Sequence, residues 1–262
     1  MDDVLMIDVA GLRIYGRPDG ITVTRGLYLG PDGFKGWTSG VGTRRDQAAR
    51  QGHGSFRAPG RRESRTVTLT GMGIAPTEQE TAALGRKLTG ILAEGEYGRV
   101  TVETAAGVQY ADGTLAGEVL FEHRGRTPRI ADWQLQLWFP DPRKYGEERS
   151  FPSAGNEQTQ IWHRGNFGAA PVHVISGTGP GYTLNGPDGK RFTVREPVST
   201  DSPHLVDMAT GQVIIRGNAR YGIVAEADVW TVAPGRTVPV RLVPAGGSLS
   251  MVTRVKDTYI GG

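Results

Sequence analysis

The sequence predicts a mostly β fold with one packed helix, and three observations carry that prediction. Glycine and proline are abundant, 39 and 16 residues against 37% hydrophobic and 22% charged residues, which is the composition of many turns joining short strands. Runs of alternating polar and apolar residues recur along the chain, the period of a strand with one buried face. One stretch, and one only, has persuasive helical periodicity. At 262 residues the chain exceeds an average domain, so two domains are the first reading and one large β domain the alternative.

In chain order, Val4 to Asp8, Leu12 to Tyr15 and Ile21 to Thr24 read as strands, with Pro18-Asp19-Gly20 as a turn. From Arg44 to Arg65 neither period is present, and Gly52, Gly54, Pro59 and Gly60 punctuate the segment. It reads as a long loop or arm, and loops of that length in compact domains are usually functional. Arg65 to Gly71 then alternates as a strand. The helix spans about Thr77 to Glu94, where Leu84, Leu88, Ile91 and Leu92 share a face and Thr77 with Glu80 forms a capping box. Gly85 and Gly90 each cost about 1 kcal/mol relative to alanine. This helix is therefore expected to be held by packing on a sheet rather than by propensity.

Arg99 to Thr104, the alternating Gly113 to His123, and Trp133 to Phe139 complete the first half as strands. Pro140 to about Gln160 is rich in Pro, Gly, Ser, Glu and Arg with no apolar period. It reads as a boundary or linker dividing residues 1–148 from 149–262. The second half supplies strands at Ala170 to Ser176, Tyr182 to Asn185, Lys190 to Val194, His204 to Met208, Gln212 to Gly217, Thr237 to Val243 and Ser248 to Val255. Their spacing and glycine turns fit a β-sandwich of about 110 residues.

No cysteine is present, which excludes disulfides, thiolate zinc sites and cysteine nucleophiles. Two aspartates stand where a secretory signal needs basic residues, and no apolar run approaches the roughly 18 residues of a membrane span. Synthesis in the cytoplasm and no membrane insertion are expected. The net charge is only +3, but it is concentrated. Arg44, Arg45, Arg50, Arg57, Arg61, Arg62 and Arg65 face only Asp46 and Glu63 between Thr43 and Arg65. A solvated arm is the first reading of this segment and a subunit contact through Arg44, Arg45, Arg50, Arg57, Arg61 and Arg62 the second. Specific nucleic-acid binding is not expected, because Phe56 is the only aromatic available for stacking.

The search for catalysis returns nothing that spacing supports. His53, His123, His163, His173 and His204 show no metal-binding spacing, and Gly52-His53-Gly54-Ser55 lacks the setting of a nucleophile elbow. Among Glu118, Glu122, Asp132 and Asp207 no pair stands out. Glu118 and Glu122 on one strand would sit about 13 Å apart, too far for a glycosidase pair. Gly177 to Gly181 sits between two strands and reads as a turn rather than a phosphate loop. Trp162, Tyr182, Phe192, Tyr221 and Trp230 could pave a sugar-binding face, although core packing is the ordinary explanation for aromatics in a sandwich. Trp230, just before a Pro-Gly turn, is the ring expected at a surface edge. No catalytic residue, metal or cofactor is expected.

Four segments in order carry a resemblance to a known family. They are the Arg65 to Gly71 strand before a helix, Trp138-Phe139-Pro140-Asp141-Pro142-Arg143-Lys144-Tyr145-Gly146, the Asn166, Gly168 and Pro171 opening of the second half, and the His204-Leu205-Val206-Asp207 strand before a turn. Gly177 and the late Pro234-Gly235 accompany them. From about Val4 to Val243 the chain resembles the distal tail proteins of long-tailed bacteriophages, often filed as minor tail proteins. The arginine-rich segment departs from that pattern and takes no role from it. The resemblance implies a structural virion protein, not an enzyme. It would form a homo-hexameric ring at the distal end of the tail tube, partnered by the tail tube protein and the tail hub protein. An N-terminal belt domain would form the ring, with a C-terminal galectin-like β-sandwich pointing outward. The alternative is a carbohydrate-binding module that recognises a host-surface glycan.

Overall fold

The computed structural model describes residues 4–16, 25–45 and 60–262; the strand expected over Ile21 to Thr24 and the turn before it lie outside them. The described chain is mostly β with one α-helix, and it divides into two units, Met1–Lys144 with Ile260–Gly262, and Tyr145–Tyr259.

The first unit contains strands β1 (Val4–Val9), β2 (Leu12–Tyr15) and β3 (Gly26–Lys35), and a short pair β4 (Thr43–Arg44) and β5 (Arg61–Arg62). It continues with β6 (Arg65–Ile74), helix α1 (Glu78–Thr89), β7 (Gly98–Thr104), β8 (Gly107–Leu115), β9 (Leu120–Arg124) and β10 (Thr127–Phe139). Pairing runs β8-β7-β1-β2-β3-β6-β10. The end of β10 then returns to β8 through Leu137 opposite Leu115 and Trp138 opposite Thr114. Seven strands therefore close on themselves as a barrel, which removes the open edges a flat sheet would expose. The pairing of β2 with β3 is parallel and the others are antiparallel.

Strand β10 shows why this sequence closes. Trp133, Leu135, Leu137 and Phe139 alternate and are all at most 3% exposed, and Leu135 and Leu137 stand opposite Leu69 and Val67 of β6. With Ile7, Ile14, Leu27, Val100 and Val102 they form one apolar interior. Strand β3 is not expected from the sequence, and Pro31-Asp32-Gly33 falls within it. These residues are a bulge: Leu29 faces Gly71 and Phe34 faces Leu69, so several β3 residues oppose a single residue of β6. The partner at that point must be glycine, since a Cβ on Gly71 would sit 1.8 Å from the Tyr28 carbonyl oxygen.

The alternating run from Gly113 to His123 is two strands, not one. Both β8 and β9 lie along the same side of β10, with Leu115 opposite Leu137 and Leu120 opposite Gln134. Five steps of chain match three on β10, and the excess loops out at 116–119.

The helix begins where expected, with the Thr77 hydroxyl accepting from the Glu80 N–H at 3.3 Å. It ends at Thr89 rather than Glu94, because Leu92 takes a left-handed conformation (φ 49). Ile91 and Leu92 still reach the core, from a turn instead of a helical face. The helix packs on β6, β9 and β10, and Gly85 lies where a Cβ would come within 2.7 Å of the Phe121 ring.

The second unit holds β11 (Lys144–Ala154), β12 (Gln158–Ile161), β13 (Val172–Thr178), β14 (Tyr182–Asn185), β15 (Arg191–Val194), β16 (His204–Asp207) and β17 (Gln212–Ile215). After them come β18 (Asn218–Arg220), β19 (Val224–Ala227), β20 (Val238–Pro244) and β21 (Ser248–Tyr259). One sheet runs β18-β17-β16-β13-β21-β11 and the other β12-β20-β14-β15-β19. Ile175, Tyr182, Phe192, Val206, Val240, Leu242 and Met251 fill the shared core, so this unit is a β-sandwich. The Pro140 to Gln160 stretch is not a linker: most of it is β11. That strand is held by backbone pairing with β21 and by charge pairs such as Arg149 with Asp257, which leave no apolar period to read.

Alanine at Gly85 is expected to destabilise the chain by about 1–3 kcal/mol through overpacking against Phe121, despite its better helix propensity. Alanine at Gly90, whose φ is already −88, is expected to stay within about 0.5 kcal/mol of the parent. Chemical denaturation of the two variants checks both values.

Candidate interaction surface

The arginine-rich segment resolves into two kinds of arginine. Arg44 stands opposite Arg61, and Thr43 opposite Arg62, in the two-residue ladder of β4 and β5. Arg44, Arg45, Arg61 and Arg62 are all exposed. The Arg62 guanidinium donates to the Thr43 hydroxyl at 2.7 Å and to the Val41 carbonyl at 3.3 Å, and the Glu63 N–H donates to the Gly42 carbonyl at 3.1 Å. Arg44, Arg61 and Arg62 with Glu63 and Ser64 line a cavity of about 450 Å³. Arg44 and Arg61 thus place like charges opposite each other on paired strands. Arg50 and Arg57 lie outside the described residues.

Arg65 is different: it is 1% exposed. Its guanidinium donates to the carbonyls of Gly36 (2.5 Å), Trp37 (2.9 Å), Ser39 (2.8 Å) and Pro142 (3.2 Å), and to that of Ile260. Burial lowers its pKa, yet arginine keeps its charge in a protein. Lys144, fully buried beside it, donates to the Gly262 oxygen at 2.8 Å and lies 5.3 Å from the Trp37 ring centroid. Burial first, and then the Arg65 charge, push the Lys144 ammonium down to about 8. Gly262 also donates its N–H to the Thr38 carbonyl at 2.8 Å. Two cations thus clamp the last three residues to the loop after β3. Arg65, counted with the solvated arm in the sequence, shares parity with Val67 and Leu69. Lys144 carries no such signal, because its partners are remote in sequence.

Among the described residues, the histidines and carboxylates singled out in the sequence do not converge on a reacting centre. His123 is exposed, His163, His173 and His204 are buried, and His53 lies outside the described residues. His173 bonds the Thr253 hydroxyl at 2.8 Å, and burial lowers its pKa to about 3. Tyr182, raised by burial, lies 3.3 Å from His204 Nδ1. Glu122 stands opposite Asp132 on β9 and β10, but Asp132 accepts from Nε and Nη2 of Arg124, at 3.1 and 2.7 Å. Glu118 is in the loop between strands, and Asp207 accepts from the Ala209 N–H and the Thr210 hydroxyl. Among the described residues no three His, Asp or Glu side chains form a metal-binding group.

The five aromatics of the second unit do not form one face. Tyr182, Phe192 and Trp230 are at most 2% exposed, while Trp162 is 37% and Tyr221 79% exposed. Trp230 is therefore a core ring, against the expectation of a surface edge. It packs on His173 at 5.5 Å, and the turn that follows it only redirects the chain.

A barrel unit followed by a β-sandwich has a counterpart among solved structures. The Dit protein (gp 19.1) of phage SPP1, described as a paradigm of the hub adsorption apparatus in phages infecting Gram-positive bacteria, superposes with a TM-score of 0.71. The match covers 97% of this chain and 98% of that one, at 14% identity. The fold is that of a phage distal tail protein. Chains of the phage P2 baseplate, solved in its activated conformation with Ca and with Sr, are similar more weakly. Their TM-scores are 0.47 and 0.46 at 8% identity, covering 97% and 95% of this chain and 98% and 97% of those chains. No protein-family model and no curated protein sequence matches the chain. At 14% identity the likeness to a distal tail protein lives in backbone topology, which many sequences can satisfy.

Two predictions follow from the buried cations. Replacing Arg65 with methionine orphans five carbonyls and is expected to cost about 3–5 kcal/mol in chemical denaturation. Lys144 binds its proton less tightly folded, at about 8, than at its ordinary 10.5. The unfolded chain therefore holds more protons in that window, and stability rises as pH increases from about 8 towards 10. Subtracting the profile of Lys144→Met is expected to isolate that rise; identical slopes would remove Lys144 as its source.

Proposed function

We propose that the chain is a structural component of a long-tailed phage virion, forming a homo-hexameric ring at the distal end of the tail tube. In this reading the ring joins the tube protein to the tail-tip hub, and the barrel unit acts as the belt. The sandwich, proposed to be galectin-like, is carried outward. The observation that supports it best is the match to a distal tail protein over 97% of the chain with both units represented. That protein is described as a paradigm of a hub adsorption apparatus.

A ring built from one chain needs heterologous contacts, in which one surface of a copy meets a different surface of the next. The exposed arginines at and beside the short ladder, Arg44, Arg45, Arg61 and Arg62, are assigned to that contact, with an acidic surface of the neighbouring copy as their partner. Arg50 and Arg57 extend the assignment along the sequence. Charge complementarity of this kind sets orientation and association rate more than affinity.

Light scattering after size exclusion, across a range of concentrations, tests the reading. Particles of six times the 28.2 kDa chain, or a concentration-dependent climb towards that mass, are expected; a monomer at every concentration would count against self-assembly. Reversing Arg61 and Arg62 to glutamate is expected to weaken association by at least about tenfold while leaving thermal stability unchanged. Unaltered association would remove these arginines from the contact.

A further inference from the structure

The segment after β12 is an extended stretch in which burial alternates strictly. Ile161, His163 and Gly165 face inward, while Trp162 and Arg164 face solvent on one side. The inward residues are tightly held. The Gly165 N–H donates to His163 Nδ1 at 3.0 Å, which leaves Nε2 as the proton-bearing nitrogen that bonds the Val232 carbonyl at 3.1 Å. The Phe167 N–H donates to the Thr258 carbonyl at 3.0 Å. The Arg164 N–H donates to the carboxylate of Asp257, a side chain 3% exposed, at 2.7 Å.

The same carboxylate oxygen takes the Arg149 guanidinium at 2.6 Å, and Glu147 takes its other terminal nitrogen. Held in this way, Arg149 lies 5.0 Å from the centre of the Trp162 ring, and Phe151 meets that ring edge-on at 6.2 Å. Arg164 is 5.8 Å from the ring centre, with its side chain exposed. One buried carboxylate thus orients both an arginine against the ring and the backbone that carries the ring and the second arginine. An apolar core does not require this support for two outward side chains. Rigid first contacts backed by a second layer are the construction of a binding site.

We propose that Trp162 and Arg164 bind a saccharide carrying an anionic group, with Arg149 as the positioning residue for the indole. The exposed part of the indole offers a flat apolar platform to the C–H face of a pyranose. Arg164 supplies the planar donor fork that carboxylate and phosphate groups match. Tyr182, Phe192 and Trp230 take no part, being core residues.

The test uses the full chain labelled with 5-fluorotryptophan, which gives one fluorine resonance for each of its five tryptophans; Trp162→Phe assigns the relevant one. Sodium glucuronate and glucose 6-phosphate are titrated separately, to distinguish a carboxylate from a phosphate ligand, with glucose and sodium acetate as controls. The Trp162 resonance is expected to move saturably with at least one anionic sugar, and Arg164→Gln to weaken that response roughly tenfold. The proposal is overturned if neither anionic sugar moves the resonance, if glucose or acetate moves it equally, or if Arg164→Gln leaves the response unchanged. Binding is read on the chain whether or not it assembles, so this result and the test of the ring stand or fall separately.

Discussion

A buried guanidinium needs hydrogen-bond acceptors around it, and in the first unit all three nitrogens of Arg65 donate to backbone carbonyls. Gly36, Trp37, Ser39, Pro142 and Ile260 each accept from it, so one side chain at the start of β6 specifies the course of three separated stretches of chain. Taking an arginine out of water costs several kcal/mol unless such partners are present. The loop after β3, the residues after β10 and the final tripeptide therefore keep their places together. Lys144 adds a second buried cation on the same tripeptide. The two like charges tolerate each other because carbonyl dipoles and the Trp37 ring offset their repulsion.

Closure of the barrel rests on a different constraint, the length of β10. Its 13 residues pair with β6 along one side and with β9 and then β8 along the other, so one strand supplies both the seam and the floor beneath the helix. The helix itself is a poor one by propensity. Gly85 is the reason it fits, because only a residue without a Cβ lets the helix backbone reach Phe121. A local weakness is thus the condition for a tertiary contact, and the helix is stable only as part of that packing.

The functional signals divide in the same way. Among the described residues, His163, His173 and His204 are buried, and Asp132 is engaged in a surface ion pair with Arg124. What converges instead is charge without chemistry: exposed arginines at the short ladder of β4 and β5, and an arginine, a tryptophan and a buried aspartate above β11 and β21. The backbone that carries them follows the fold of a distal tail protein over nearly its full length.

The mostly β character, the helix start at Thr77, and the strands at Leu12–Tyr15 and Tyr182–Asn185 were determined by the sequence alone. Each depends on a local period or a local cap that neighbouring residues carry among themselves. Arg65, counted with the solvated arm in the sequence, is instead buried, although it shares parity with Val67 and Leu69. The bulge in β3, the polar strand β11, the burial of Trp230 and the burial of Lys144 were decided only by tertiary structure. In each case the deciding partner is remote: Gly71 for the bulge, β21 for the polar strand, His173 for the indole and Gly262 for the lysine. Local patterns record which face of an element is apolar, whereas the identity of the group that meets that face is a property of the closed chain.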